Sequence, residues 1–213
     1  MVSVDQVKKA REGKKRRFTQ TFELIFNLKN VDLRKYRLST YIVLPRGRGK
    51  KMPILAIVGP ENKELAEKYF DIVLTREDLK QLDKRTAKKL AKRHYHVVAQ
   101  ADLMPELGKS LLGRFLGIRG KMPNPKAGQI LPPNLNEKML EALREKLNNT
   151  VRVNVKKHVT FGVPIGTEDM EDEAIAENAD TVINEIISQL PQGKQNIDSV
   201  YLKLTMGPAV RVL

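Results

Sequence analysis

The spacing of hydrophobic positions changes twice along the chain. In FTQTFELIFNL, residues 18–28, Phe22, Leu24, Phe26 and Leu28 alternate with Thr21, Glu23, Ile25 and Asn27. That two-residue period predicts a strand with one buried face. STYIVLP and PILAIVG read as two further strands, separated by the glycine-rich basic loop RGRGKKM. The segment before the first strand fits a short helix with Val4 and Val7 inward. The first sixty residues are therefore expected to be mainly β.

From about residue 61 strands and helices alternate: ELAEKYF (helix), DIVLT (strand), REDLKQLDKRTAKKLAKRH (helix), YHVVAQ (strand), LMPELGKSLLGRFLG (helix), a Gly/Pro loop and NLNEKMLEALREKLNN (helix). This order predicts a small α/β unit around a largely parallel sheet. After residue 150 a long strand pattern returns in TVRVNVKKHVTFGVP. A helix follows with Ile175, Ala179, Val182, Ile183, Ile186, Ile187 and Leu190 at helical spacing, and then the closing strand DSVYLKLTM.

Each terminal segment has one-sided strands and too little helix to cover them alone. We therefore expect them to fold together as a discontinuous α+β domain, residues 1–62 plus 152–213, with an α/β domain inserted at 63–151. The two chain crossings, one near Gly59-Pro60, predict a hinge.

Charge changes this picture from fold toward partner. Among 213 residues, 39 Lys and Arg stand against 25 Asp and Glu, a formal charge of +14. A polyanion is the expected partner. Placement is lopsided: Lys8, Lys9, Arg11, Lys14, Lys15, Arg16 and Arg17 crowd one decade with Glu12 as its only acid. Residues 167–193 hold eight acids and no Lys or Arg. Those acids read as the solvated face of the helix, since EDMEDE lacks the spaced ligands and turn glycine of a calcium loop.

The composition also excludes chemistry. With no cysteine there are no disulfides, thiolate metal sites or thiol nucleophiles. No apolar run approaches the roughly 18 residues of a membrane helix. The opening lacks the apolar stretch of a signal peptide, so a cytoplasmic protein is expected. LGKS at 107–110 ends like a phosphate loop, but Leu103 stands where its first glycine belongs. His94, His96 and His158 have no discernible nucleophile or carboxylate partner, and surface or RNA-facing roles are expected for them.

Two loops remain. GIRGKMPNPKAG, residues 117–128, packs three glycines, two prolines and basic groups including Arg119, Lys121 and Lys126 into an ordered irregular loop, suited either to RNA contact or to packing. TMGPAV follows the last strand. Its Thr supplies a hydroxyl, its Gly lets another backbone approach, and Met206 offers a soft apolar contact. Alone, it would be an ordinary strand-ending turn.

Together, Arg17, FTQT with Glu23, PRGRGK, RGKMPNPKAG and SVYLKLTMGP resemble, in order and approximate spacing, the ribosomal protein L-one family. The likeness covers nearly the whole chain, and GKMPNPKAG and TMGP are its most specific parts. The absence of Cys, the short tail and the basic charge look like the archaeal branch.

The resemblance implies a split α+β domain, a ferredoxin-like or RRM-like sandwich, that binds folded large-subunit ribosomal RNA, with a Rossmann-like insert. It implies a structural, non-catalytic protein of the mobile stalk beside the tRNA exit site, monomeric when free and without cofactor or membrane attachment. It further implies contact with exit-site tRNA, a part in tRNA release, and repression of its own mRNA. By the same resemblance the RNA surface comprises Arg17, Phe18, Thr21, Glu23, Ser199, Thr205, Met206 and Gly207. Further contacts are expected from Lys14, Lys15, Arg46, Arg48, Lys50, Arg119, Lys121 and Lys126.

The residue chemistry suits RNA: cations meet phosphates, while hydroxyls and backbone near Thr205 and Gly207 can read ribose 2′-OH groups. Glu23 would repel phosphate, so it either accepts from a base or 2′-OH or braces Arg17. Phe18 either stacks or packs. Two other readings compete: a nucleotide-dependent enzyme acting on RNA, and a general RNA chaperone. The incomplete phosphate loop weighs against the first, and the defined FTQT and TMGP motifs against the second.

Overall fold

A computed structural model describes residues 1–32, 35–36, 38–155 and 158–213. In chain order its elements are α1 (Val4–Arg11), β1 (Thr21–Leu28), β2 (Leu38–Val43), β3 (Ile54–Ile57), α2 (Lys63–Glu67), β4 (Ile72–Leu74), α3 (Arg76–Gln81), α4 (Lys84–Arg93) and β5 (His96–Gln100). They continue with α5 (Met104–Lys109), α6 (Leu111–Arg119), β6 (Ile130–Leu131), α7 (Glu137–Asn149), β7 (Thr150–Val155), β8 (Thr160–Thr167), α8 (Asp172–Gln189), β9 (Ile197–Leu204) and β10 (Val210–Arg211). The chain forms two compact units, residues 1–50 with 148–213, and residues 51–147.

In the first unit β10, β9, β1 and β8 form an antiparallel sheet in that order, and β2 pairs antiparallel with β7. The alternation in β1 has the expected consequence. Phe22, Leu24, Phe26 and Leu28 are buried, in one core with Ile175, Ala179, Val182 and Ile186 of α8 and Val7 and Ala10 of α1. Burying each large side chain contributes about 1.5–3 kcal/mol. The opposite face keeps Thr21, Glu23, Ile25 and Asn27 half-exposed.

The second unit has a parallel sheet ordered β4, β3, β5, β6. Apolar clusters lie on both of its faces: Leu55, Ile57, Val97 and Ala99 share one with α4 and α6, and Ile54, Ala56 and Val98 share the other with α7.

The pattern reading needs several corrections. Residues 51–62, assigned with the terminal segments, belong to the second unit, because β3 is a central strand there. All four residues of β3 are buried, as in parallel strands covered on both sides, and the absence of alternation in PILAIVG is the signal. The chain passes between units at 50/51 and 147/148, so Gly59-Pro60 lies within the second unit rather than at a crossing.

The long helix expected at 76–94 is two helices, α3 and α4. Asp83 starts the second by accepting from the amides of Arg85 (3.0 Å) and Thr86 (3.2 Å). Ser110 likewise splits 103–117, capping α6 through the Gly113 amide (3.0 Å). The long strand at 150–164 is β7 and β8; Lys156 and Lys157 within that pattern lie outside the described residues.

Candidate RNA interface

One edge of the open sheet face is organised by the FTQT segment. Gln20 is 4% exposed. The Glu168 carboxylate accepts from the Gln20 backbone amide (2.9 Å) and from its side-chain amide (3.2 Å), and the Glu168 amide donates to the Gln20 carbonyl (2.9 Å). The side-chain oxygen of Gln20 then accepts from the Met206 amide at 3.1 Å. Gln20 thus ties the end of β8 to the turn after β9.

That turn is also fixed to β1. The Thr205 amide donates to the Thr21 carbonyl (3.0 Å), and the Thr205 hydroxyl lies 3.3 Å from both the Thr21 amide and carbonyl. The Gly207 amide closes the turn onto the Leu204 carbonyl at 3.0 Å. A Cβ on Gly207 would stand 3.1 Å from the Ala10 carbonyl oxygen and 3.0 Å from the Leu204 Cβ. The backbone that approaches this glycine is therefore the end of α1. Thr205 and Met206 point outward, with Met206 56% exposed.

Across the open face the register places Glu23 opposite Lys203 and Pro164, Ile25 opposite Tyr201 and Gly162, and Asn27 opposite Ser199 and Thr160. Asn27 donates through Nδ2 to the Ser199 hydroxyl (2.9 Å) and accepts at Oδ1 from the Thr160 hydroxyl (2.9 Å). Ser199 is only 5% exposed, its hydroxyl already engaged. The Glu23 carboxylate forms no ion pair or hydrogen bond with Arg17 or any other described residue, so the brace is not made and the carboxylate is free to accept.

Arg17 and Phe18 precede Gln20 in an exposed stretch without helix or strand, and Phe18 is 53% exposed, so it does not pack into the core. Lys14, Lys15 and Arg16 are exposed and line, with Arg11, Gln20, Glu168 and Asp169, a cleft of about 440 Å³. Arg11 is an anchor: it forks onto Asp172 (2.6 and 3.0 Å), donates to the Met170 carbonyl (2.8 Å) and to that of Glu168, and lies 5.0 Å from the Phe22 ring centroid.

The acidic segment, read from sequence as merely solvated, is therefore also structural. Besides Glu168 and Asp172, Glu177 pairs with Arg46 (2.6 Å) and holds its guanidinium proton more tightly through that hydrogen bond. Asp180 accepts from the Val2 amide at 2.7 Å. No cluster of three or more possible metal ligands exists among the described residues.

The basic loop at 46–50 is docked rather than loose. Fully buried Asn178 accepts from the Arg46 amide (3.0 Å) and donates to the carbonyls of Gly47 and Ile165 (2.8 Å each). Gly49, at φ +70°, leaves 2.4 Å between a hypothetical Cβ and the Thr167 hydroxyl. Arg46 and Lys50 remain exposed, and Arg48 is half-buried.

In the second unit, the glycine-proline loop turns Lys121 inward and is held by the residue that follows it, Gln129. Lys121 donates through Nζ to the carbonyls of Ala91 (3.0 Å) and His94 (2.5 Å), closing the C-terminus of α4. Buried Gln129 accepts from the Asn124 amide (3.0 Å) and donates to His96 Nδ1 (3.1 Å). Arg119 and Lys126 stay exposed. His94 and His96, expected at the surface, are each 1% exposed. The Nδ1–H of His94 donates to the Leu90 carbonyl (3.0 Å), and burial lowers the pKa of its imidazole.

A cavity of about 520 Å³ lies beyond the C-terminal ends of β3 and β5, where α/β sheets commonly bind nucleotides. Its lining mixes the acids Glu61, Glu77, Asp78 and Asp102 with the cations Lys63 and Arg76, and Arg76 is paired with Glu106. The excess of carboxylates makes the lining a poor match for phosphates.

A basic two-unit protein results, whose open antiparallel sheet presents hydroxyls, a free carboxylate and an outward Met-Gly turn beside uncompensated cations. The chain belongs to the ribosomal protein L1p/L10e family, whose model matches residues 7–208. It is similar to the large ribosomal subunit protein uL1 of Thermococcus kodakarensis, 46% identical over 214 residues covering 98% of this chain and 95% of the relative. The uL1 proteins of Pyrococcus abyssi (42% identical; 98% and 94% covered) and Methanocaldococcus jannaschii (42%; 97% and 92%) are similarly close. These archaeal relatives are named as ribosomal proteins, a structural family without enzymatic activity.

Proposed function

We propose that this protein is a structural constituent of the large ribosomal subunit that binds large-subunit ribosomal RNA at the mobile stalk, in the cytoplasm. Its first unit is the RNA-binding domain, a split RRM-like sandwich, and its second a Rossmann-like insertion. Thr21, Glu23, Thr205, Met206 and Gly207 form the centre of the surface, Arg17 and Phe18 its flank, and Lys14 and Lys15 a source of phosphate affinity.

The observation that carries the reading is the Gln20 junction. It sets two strands that are distant in sequence into one rigid edge whose outward groups are a hydroxyl, a thioether and nearby cations. Rigid polar edges of this kind recognise folded RNA by shape and 2′-OH contacts, with cations supplying the salt-dependent affinity. Ser199 acts from within this surface, its hydroxyl oriented by Asn27.

Binding of a similar structure in the protein's own mRNA, with repression, and contact with exit-site tRNA during its release extend the same reading. Titrating amide-labelled protein with a folded stalk fragment tests it. Signals of residues 17–25 and 203–207 are expected to shift first, with those of 180–189 on the acidic helix unmoved. Uniform small shifts over all basic segments would refute a defined surface.

A further inference from the structure

Helix α4, KRTAKKLAKR, is electrostatically unlike its neighbours. It exposes Lys84, Arg85, Lys88, Lys89, Lys92 and Arg93, while Ala87, Leu90 and Ala91 are buried against the core shared with α6. None of the six cations forms an ion pair or side-chain hydrogen bond among the described residues. Its flanking acid, Asp83, is spent as the N-cap. Elsewhere in this unit three cations are paired, Arg76 with Glu106 (2.9 Å), Lys68 with Glu137 (3.5 Å), and Arg144 with Asp71 (3.7 Å), and none of these pairs involves α4.

The charges also oppose the helix that carries them. Lys84, Lys88 and Lys92 form one column at four-residue spacing, and Arg85, Lys89 and Arg93 another, about 6 Å between neighbours and about 13 Å end to end. Like charges at this spacing destabilise a helix. Lys84 and Arg85 additionally stand at the positive end of the helix dipole, while Lys92 and Arg93 at its negative end are favoured there. Six unmatched cations in two columns along one helix form an electropositive stripe that salt screens only in part and that an anionic partner of comparable length neutralises.

We propose that the exposed face of α4 is a second RNA-binding surface, one that takes duplex RNA by its phosphate backbone without reading sequence. The face carries no aromatic group for stacking, and its one uncharged polar side chain is that of Thr86, so phosphate contact is the chemistry it offers. It lies in the second unit and acts independently of the sheet surface in the first.

The test uses the full chain saturated with the stalk fragment, to which a fluorescent RNA duplex of unrelated sequence is added over a salt series. The wild-type complex is expected to bind the duplex at low salt. The triple variant Lys84→Ala, Lys88→Ala, Lys92→Ala should lose about tenfold or more in duplex affinity and flatten the salt slope by about two units. It should keep its stalk-fragment affinity and its thermal midpoint, since alanine favours the helix.

Duplex binding and slope equal to wild type in the triple variant would overturn the proposal, as would no duplex binding by the wild-type complex. Loss in Lys14→Ala, Lys15→Ala instead would move the duplex to the first unit and overturn it too. Preference for a polyglutamate peptide over the duplex would replace RNA by an acidic protein. Failure of the stalk fragment to bind refutes the proposed function alone, because the duplex series on the free protein still reads α4.

Discussion

Gln20 joins Glu168 to Met206: its side-chain amide donates to the Glu168 carboxylate at 3.2 Å while its side-chain oxygen accepts from the Met206 amide at 3.1 Å. Three segments that meet nowhere in sequence are thereby fixed at one sheet edge. Gln20→Ala is expected to cost about 1–3 kcal/mol of stability, because it empties a nearly buried site and leaves a half-buried carboxylate oxygen and a turn amide unmatched. Thermal unfolding checks this. RNA affinity should fall as well, since the outward groups of the turn lose their brace.

Thr205→Ala and Met206→Ala act mainly on contact, since the only fold contacts removed among the described residues are the two long, solvent-exposed ones of the Thr205 hydroxyl to the Thr21 backbone. Both side chains are exposed, so unfolding midpoints should stay within about a degree or two, whereas each variant should bind the folded stalk RNA roughly three- to tenfold more weakly. Unchanged affinity of both at matched salt would remove the turn from the interface.

Replacing Lys14 and Lys15 together should weaken binding to every RNA alike. The slope of log affinity against log salt should flatten by up to about one unit per lost phosphate contact. A wild-type slope would show this basic run to be solvated only.

His94 gives the second unit a pH dependence. Burial lowers its pKa below the ordinary value of about 6.5, so the folded protein keeps it neutral while the unfolded chain takes up a proton. The stability it contributes is full above about pH 6.5 and is lost as pH falls from there toward the lowered folded value. His94→Gln should therefore show a flatter stability profile between about pH 7 and 5 than wild type, measured by urea unfolding. Parallel profiles would contradict this.

What could be read from the chain follows from the range of the forces involved. The alternation in β1 is local, and so were the buried face and the outward Thr21 and Glu23 it implies. The unbroken apolar run of PILAIVG marks a strand buried on both faces, but the sheet it joins is set by its neighbours β4 and β5. The breaks at Asp83 and Ser110 had a local signal, a capping residue ahead of an apolar repeat, that the longer helical period concealed.

Gln20, Asn27 and Asn178 could not have been found by spacing. Apart from Ile165 beside Asn178, their partners lie more than a hundred residues away, and a buried amide looks in sequence like any polar residue. The same distance hid the structural duties of the acidic segment. Lys121 looked like one more cation of a basic loop, until the end of α4 supplied the three carbonyls around its ammonium.

The most direct test of the account is competition binding of the purified protein to a folded stalk fragment of large-subunit ribosomal RNA, titrated with salt against an unrelated structured RNA. The account predicts tight binding that survives competitor and moderate salt. Weak binding that collapses equally for every RNA would contradict it, leaving a basic protein without a defined RNA surface.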